Sequence, residues 1–363
     1  MFQIGLLAYS APAMIMLISE IPTGAIADLY GRKFSVILGN ILSGIFFFLM
    51  FFTTDYYTLL VLSALVGFSL TFNSGAHEAW VIDLIRKEKK DYLQNFFVKT
   101  RVFDSGALIL SGFVGVFLVG LFGVKVIFPV TAISFFIATF LMVFAKENYR
   151  KRKVKIKDSF KELKKQSSLA VSYSYKHKVI FYFLIAMAFI LFATEMAENI
   201  AAVPFLQGLG MPDHAFGYIW SGVALMGVIS PLFSQRFYSK NKEKKFIATS
   251  ILLSALFLLF IPVAKKLTFA VIIILAFAFF DFARKPAERV YFQRFIPTKI
   301  RASVGSVESM FLSLIGIIAA PIGGLLVDTI GSQYTLFLSG IIMIPAAIIF
   351  YRIKNKKMPR LLF

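Results

Sequence analysis

The chain is 363 residues long, 58% hydrophobic and only 16% charged, with 39 Lys and Arg against 19 Asp and Glu. It is too apolar for a soluble domain of this size, and a mean hydropathy of +0.78 agrees. The absence of cysteine excludes disulfides and thiol chemistry.

Eleven apolar segments follow one another at residues 4–27, 34–53, 57–85, 96–122, 124–145, 179–207, 214–236, 246–264, 267–295, 302–327 and 332–352. Each has about 20 residues or more, enough to cross ~30 Å of hydrocarbon as a helix rising ~1.5 Å per residue. The first is too long for a cleavable signal and lacks its basic head. Of the 39 Lys and Arg, 36 lie in alternate gaps. Arg32 and Lys33 follow span 1, six positives run from Arg86 to Arg101, and twelve lie in 146–178. Five lie in 236–245, six in 284–301 and five from Arg352 onward. The other gaps hold only Lys125, Lys265 and Lys266. Positive loops stay in the cytoplasm, so Phe363 is expected inside and Met1 outside. Next to helix ends these positives suit anionic lipid headgroups, at ~1 kcal/mol each. No soluble domain exists to present a groove to nucleic acid. The expectation is an all-α, multi-pass protein of the cell membrane, monomeric, in contact with lipids and without a nucleic-acid partner.

The only long polar interval, 146–178, separates five spans from six. The predicted organisation is an N-terminal bundle over 1–145, a basic cytoplasmic linker over 146–178 and a C-terminal bundle over 179–363. Phe160, Leu163, Leu169 and Val171 among many lysines fit either a basic helix on the inner leaflet or a solvated tether. The bundles repeat. Asp104-Ser105 precedes Gly112 by eight residues and Gly120 by sixteen, as Glu308-Ser309 precedes Gly316 and Gly324. Pro22 matches Pro231 and Glu78 matches Glu288 more loosely, which predicts two pseudo-symmetric halves. Equal halves require twelve spans, so one helix is expected to be missing before Met1. Apart from Lys125 and Arg352 at their ends, spans 2, 5, 8 and 11 carry no charge, which suggests units of three helices with the third toward lipid.

Between spans 1 and 2 lies Gly24-Ala25-Ile26-Ala27-Asp28-Leu29-Tyr30-Gly31-Arg32-Lys33. It resembles the cytoplasmic loop that marks the major facilitator superfamily, Gly-x-Leu-Ala-Asp-basic-x-Gly-Arg-basic. Glu20-Ile21-Pro22-Thr23 before it, and Pro321-Ile322-Gly323-Gly324 with Asp328 in span 10, are similar to that superfamily too. Leu29 and Ile26 depart from the pattern, the first leaving its charge network one member short. The resemblance implies a rocking two-bundle transporter, and a loop lying between the second and third family helices, in accord with one absent helix. It also implies that Asp28 helps latch the halves at the cytoplasmic face. From the residues alone, Gly31 permits a tight turn and Gly24 a close helix approach. Asp28 favours a helix N-terminus such as that of span 10, with Arg86 or Arg101 as its basic partner. The plain alternative is a topogenic turn with a solvated aspartate.

Charges inside the spans are the candidates for chemistry, because one facing lipid costs at least ~2.5 kcal/mol. Glu195 and Glu198, spaced i,i+3, are expected to share a helix face ~21–26 Å along span 6. They can carry protons, form a polar cavity wall or bind a cationic substrate. Glu78 and Arg101 lie at similar depths and suit an ion pair or a substrate site, and Asp104 can pair with Lys99 or Arg101. Around Pro286, Asp281 is deepest and can line a cavity. Arg284, Lys285, Glu288 and Arg289 are expected to pair across a cytoplasmic gate. Glu308 reads as a gate element and Glu20 as a lining residue. His77, His177 and His214 lack metal-ligand spacing. No phosphate-binding Gly-x-x-x-x-Gly-Lys-Ser/Thr sequence or hydrolase site occurs, so neither cofactor nor enzyme is expected.

The expected function is a secondary transporter that exchanges protons for small amphiphilic or drug-like molecules in efflux. Drug-antiporter relatives usually carry Gly-Pro-x-x-Gly-Gly in their fifth helix, whereas span 4 reads Ser111-Gly112-Phe113-Val114-Gly115. The alternatives are a sugar or metabolite facilitator or importer and, from another class, a lipid scramblase or a non-transporting membrane protein.

Overall fold

A computed structural model of the chain describes residues 1–74, 76, 80, 90–145, 168–169, 171–234, 236, 242–297 and 300–353. Side chains of residues 21, 25, 28, 90–98, 101–102 and 301–302 are outside the description. Every described element is helical. The chain runs through α1 (Phe2–Gly5), a π turn over Leu6–Ser10, α2 (Ala11–Tyr30), α3 (Arg32–Phe52) and α4 (Tyr56–Thr71). It continues with α5 (Lys90–Phe122), α6 (Ile127–Val143), α7 (Lys178–Thr194), a second π turn over Glu195–Ala201 and α8 (Ala202–Gly208). The last five are α9 (Phe216–Ser234), α10 (Glu243–Leu259), α11 (Leu267–Arg294), α12 (Arg301–Ile330) and α13 (Ser332–Arg352).

Each predicted span carries a helix, and ten of the described helices are long and apolar enough to cross a membrane. Of the third span only Tyr56–Thr71 is a described helix. Glu78 and Asp83 lie outside the described residues, as do 146–167 and 170 of the linker. Helices overrun the hydropathy boundaries where polar residues follow the apolar run. Thus α5 starts at Lys90 and α10 at Glu243, because hydropathy marks the hydrocarbon crossing and not the helix.

Local chemistry explains the joints. Gly31 sits at φ 107° and joins α2 to α3 through a single residue. Gly331 at φ 85° does the same between α12 and α13. A residue with a Cβ resists both conformations. Asp55 caps α4 by accepting from the Thr58 N–H and hydroxyl, each at 2.8 Å. Those two bonds hold its carboxyl below the usual range.

The helices form two compact units. One comprises Leu6–Ser159 with Asp213–Tyr218. In it α3 packs on α4 and α6, and α2 on α4. Polar side chains knit this interior: Ser43 to Ser69 at 2.6 Å, Asn73 to Asn40 at 3.0 Å and Ser35 to the Phe72 carbonyl at 2.8 Å. Between apolar helices in lipid, such bonds and close packing supply the association that water would otherwise drive. Outward, α5 and α6 present Phe117, Phe122, Phe140 and Phe144, the apolar surface a helix offers to hydrocarbon. The other unit comprises Met1–Gly5, Phe160–Pro212 and Ile219–Phe363. Here α10 packs on α11 and α13, α7 on α13, and α12 on the second π turn. Phe183 stacks on Phe292 at 4.6 Å and meets Phe350 edge-on at 5.7 Å, an aromatic core shared by three helices.

Candidate functional site

The densest buried charge lies on α11. Asp281, Arg284 and Glu288 are 2%, 3% and 5% exposed. Their i,i+3 and i,i+4 spacing stacks them on one helix face. Arg284 donates to Asp281 on one side and to Glu288 on the other, with its Nε 3.2 Å from Asp281 Oδ1. Lys285 reaches back to Asp281 Oδ2 at 3.2 Å and lies 3.9 Å over the Phe282 ring. The expected pairing of these residues across a gate gives way to pairing within one helix. Arg284 already has both carboxylates at helical spacing, and a buried guanidinium needs partners that close.

A second set faces this one from the π turn. Glu198 lies within electrostatic reach of Asp281, Arg284 and Lys285, and of Glu195 on its own element. Its Oε1 is buried with no hydrogen-bond partner. Glu195 instead accepts from the Asn199 amide at 2.7 Å. The expectation that Glu195 and Glu198 share a face therefore needs correction. The i→i+5 winding, seen in the Ala202 N–H bonding the Ala197 carbonyl, separates i,i+3 neighbours and brings i,i+4 together. Asn199 was missed by sequence reasoning, although its i,i+4 offset from Glu195 was available. Three carboxylates, Glu198, Asp281 and Glu288, thus gather around two cations, Arg284 and Lys285, with Glu195 adjoining Glu198.

The remaining predicted residues are spread out. Glu308 of α12 accepts from Arg289 of α11 at 3.1 Å. Glu20 on α2 is exposed and accepts from the Ser74 hydroxyl at 3.3 Å. Asp104 is exposed on α5. Lys33 of the loop motif donates to the Val143 and Ala145 carbonyls at 2.8 and 2.7 Å, a cation on the C-terminal end of α6. Arg32 is half-buried beside it. Among the described residues a Cβ at Gly24 would meet nothing within 4 Å, whereas one at Gly67 of α4 would press on Pro12 of α2. Glu78 and Arg86 lie outside the described residues, as do the side chains of Asp28 and Arg101.

Two further clusters were not anticipated. Glu243, in the first turn of α10, is buried against Arg294, in the last turn of α11. His177 caps α7, its Nδ1 accepting from the Ile180 N–H at 3.4 Å, between the rings of Tyr173 and Phe295. Burial pushes the His177 imidazole below its ordinary value.

The sequence profile of the Major Facilitator Superfamily matches residues 1–307 and, overlapping them, 188–362. A crystal structure of a mutant of the nucleoside transporter NupG matches with a TM-score of 0.75. Identity is 16%, over 96% of this chain and 90% of that one, so the likeness is one of fold. No curated protein matches by sequence.

Proposed function

This chain belongs to the Major Facilitator Superfamily, and from that premise we propose a proton-coupled transporter of small polar metabolites, working by alternating access across the cell membrane. The observation that carries the coupling is Glu198 Oε1, buried without a partner beside the Asp281–Arg284–Glu288 network. Three carboxylates share two cations there. A buried carboxylate oxygen with no partner bears a heavy desolvation cost, which a proton removes. The proton that Glu198 takes up and releases is the coupling ion. Asp281, held by Arg284 and Lys285, stays ionised and sets the local field. Glu195, tied to Asn199, is the adjoining wall.

A metabolite is favoured over the amphiphilic efflux cargo expected from composition. The site is rich in charges and hydrogen-bonding groups, which orient polar solutes. One fold match is to a nucleoside transporter, and the Gly-Pro-x-x-Gly-Gly pattern of drug antiporters is missing from span 4. Glu78, Asp104 and Glu20 are assigned to the transport path. Gly24, Asp28, Gly31, Arg32, Lys33, Arg86, Arg101 and Glu308 are assigned to the cytoplasmic latch. The working unit is taken as a monomer with its C-terminus in the cytoplasm.

The test is uptake of radiolabelled uridine and adenosine into proteoliposomes under an imposed pH gradient. Accumulation above the external concentration, lost at least tenfold in Glu198→Gln with solute exchange retained, is the expected result. Nucleoside uptake indifferent to the gradient would overturn the coupling. Gradient-driven export of a cationic dye with no nucleoside uptake would return the cargo to the amphiphilic class.

A further inference from the structure

The π turn over Glu195–Ala201 coincides with the two glutamates of span 6, and the surrounding residues show what maintains it. Pro204 follows in α8. In continuous α-helix its nitrogen would face the Ile200 carbonyl. Proline has no N–H to give that carbonyl, and its ring collides with it. Widening the preceding turn relieves the collision. Proline alone does not suffice, since Pro22, Pro231, Pro286, Pro321 and Pro345 all sit inside α-helices. A second condition is met on the neighbouring helix. Met196, inside the π turn, lies so close to α12 that a Cβ on Gly323 would approach its Cγ to 2.9 Å and its Cα to 3.2 Å. The same combination recurs in the other unit. The π turn over Leu6–Ser10 is followed by Pro12, and a Cβ on Gly67 of α4 would come to 2.5 Å from the Pro12 Cα. In both places a proline withholds the α-helical bond and a facing glycine makes room.

We propose that Pro204 and Gly323 are positioning residues that hold the π turn, and that the π turn aims Glu198 at the Asp281–Arg284–Lys285 group on α11. This rests on Glu198 being the coupling carboxylate and adds what points it there. With an ordinary residue at 204, the segment can rewind as α-helix and lose the extra residue of the wide turn. Glu198 then turns by up to about 100°, one residue of helical rotation, away from α11. The charged groups it faces are Asp281, Arg284 and Lys285 on α11 and Glu195 on its own element. α12 and α13 also pack against the turn, and on α12 Gly323 lies against Met196. Turning Glu198 therefore changes its electrostatic surroundings and leaves the α11 triad intact.

The experiment reads the proton directly. Infrared difference spectra between acidic and alkaline pH are recorded on the full chain in lipid, for the wild type, Glu198→Gln, Pro204→Ala and Gly323→Ala. Glu198→Gln is expected to remove a titrating carboxyl band. Pro204→Ala is expected to keep that band but move its midpoint by ~1 pH unit or more. Gly323→Ala, pressing on Met196 from the other side, is expected to move it as well. Pro204→Ser restores the same N–H and is read in the same way where the alanine variant does not fold. A band present in the wild type and lost in Glu198→Gln, but unmoved in the Pro204 and Gly323 variants, would overturn the positioning role alone. A Glu198→Gln spectrum identical to wild type would remove the coupling carboxylate, and the positioning role with it.

Discussion

Replacing Arg284 by Met keeps the side chain's length and removes its charge from between two buried carboxylates. Lys285 remains 3.2 Å from Asp281, so that aspartate retains a partner. Glu288, 5% exposed and bonded to Arg284, is the group stripped. Breaking a buried pair by removing one member costs ~3–5 kcal/mol, because the other charge stays in place without compensation. At ~2–4 °C per kcal/mol for a unit of this size, the melting temperature should fall by ~6–20 °C. Removing both members leaves no orphan charge, and apolar or neutral replacement of a buried pair is often nearly neutral. Arg284→Met with Glu288→Gln should therefore recover most of the loss. Thermal melts of purified protein in detergent, followed by intrinsic fluorescence, give the comparison. An Arg284→Met protein melting within ~2 °C of wild type, or a double variant as unstable as the single one, would refute the reasoning.

Acidification should loosen the start of α7. Burial holds His177 below its ordinary value of 6.5, so as pH falls through that value the unfolded chain takes a proton that the folded one resists, and stability present above it is lost below. His177→Asn keeps an acceptor for the Ile180 N–H without titrating, and should flatten the dependence of melting temperature on pH below about 6.5; an unchanged slope would exclude His177 as its source. Gly67→Val drives side-chain carbon into the backbone of Pro12 and should abolish recovery of folded protein, while Gly24→Ala, with open space at its Cβ, should leave yield and melting temperature unaltered. Size-exclusion profiles distinguish the two, and equal behaviour would contradict the packing at Pro12.

Much of the fold was open to inspection of the sequence because lipid leaves few choices. A chain without water must satisfy its backbone internally, so each apolar run of sufficient length becomes a helix. The joints were equally readable where one residue decides them: Gly31 was expected to make a tight turn and has φ 107°. The charge cluster was legible as membership but not as pairing. Asp281, Arg284 and Glu288 stood out as charges in an apolar span, and their helical spacing already predicted bonds among themselves. Glu243 and Arg294, by contrast, are 51 residues apart, and nothing local announces their contact.

The π turn was invisible for a different reason. Reading periodicity assumes a constant 3.6 residues per turn, and the inference that Glu195 and Glu198 share a face is only as good as that constancy. One wide turn breaks it just where the inference was applied. The local cue, Pro204, is not distinctive by itself, because Pro22, Pro231, Pro286, Pro321 and Pro345 sit inside α-helices. Its partner in the effect, Gly323, lies over a hundred residues away on another helix. The winding is thus a tertiary property expressed in a local element, settled by whether a neighbouring backbone leaves room for the bulge. Where a functional carboxylate stands a few residues before a proline in a packed helix, its direction has to be read from the facing helix as well as from its own.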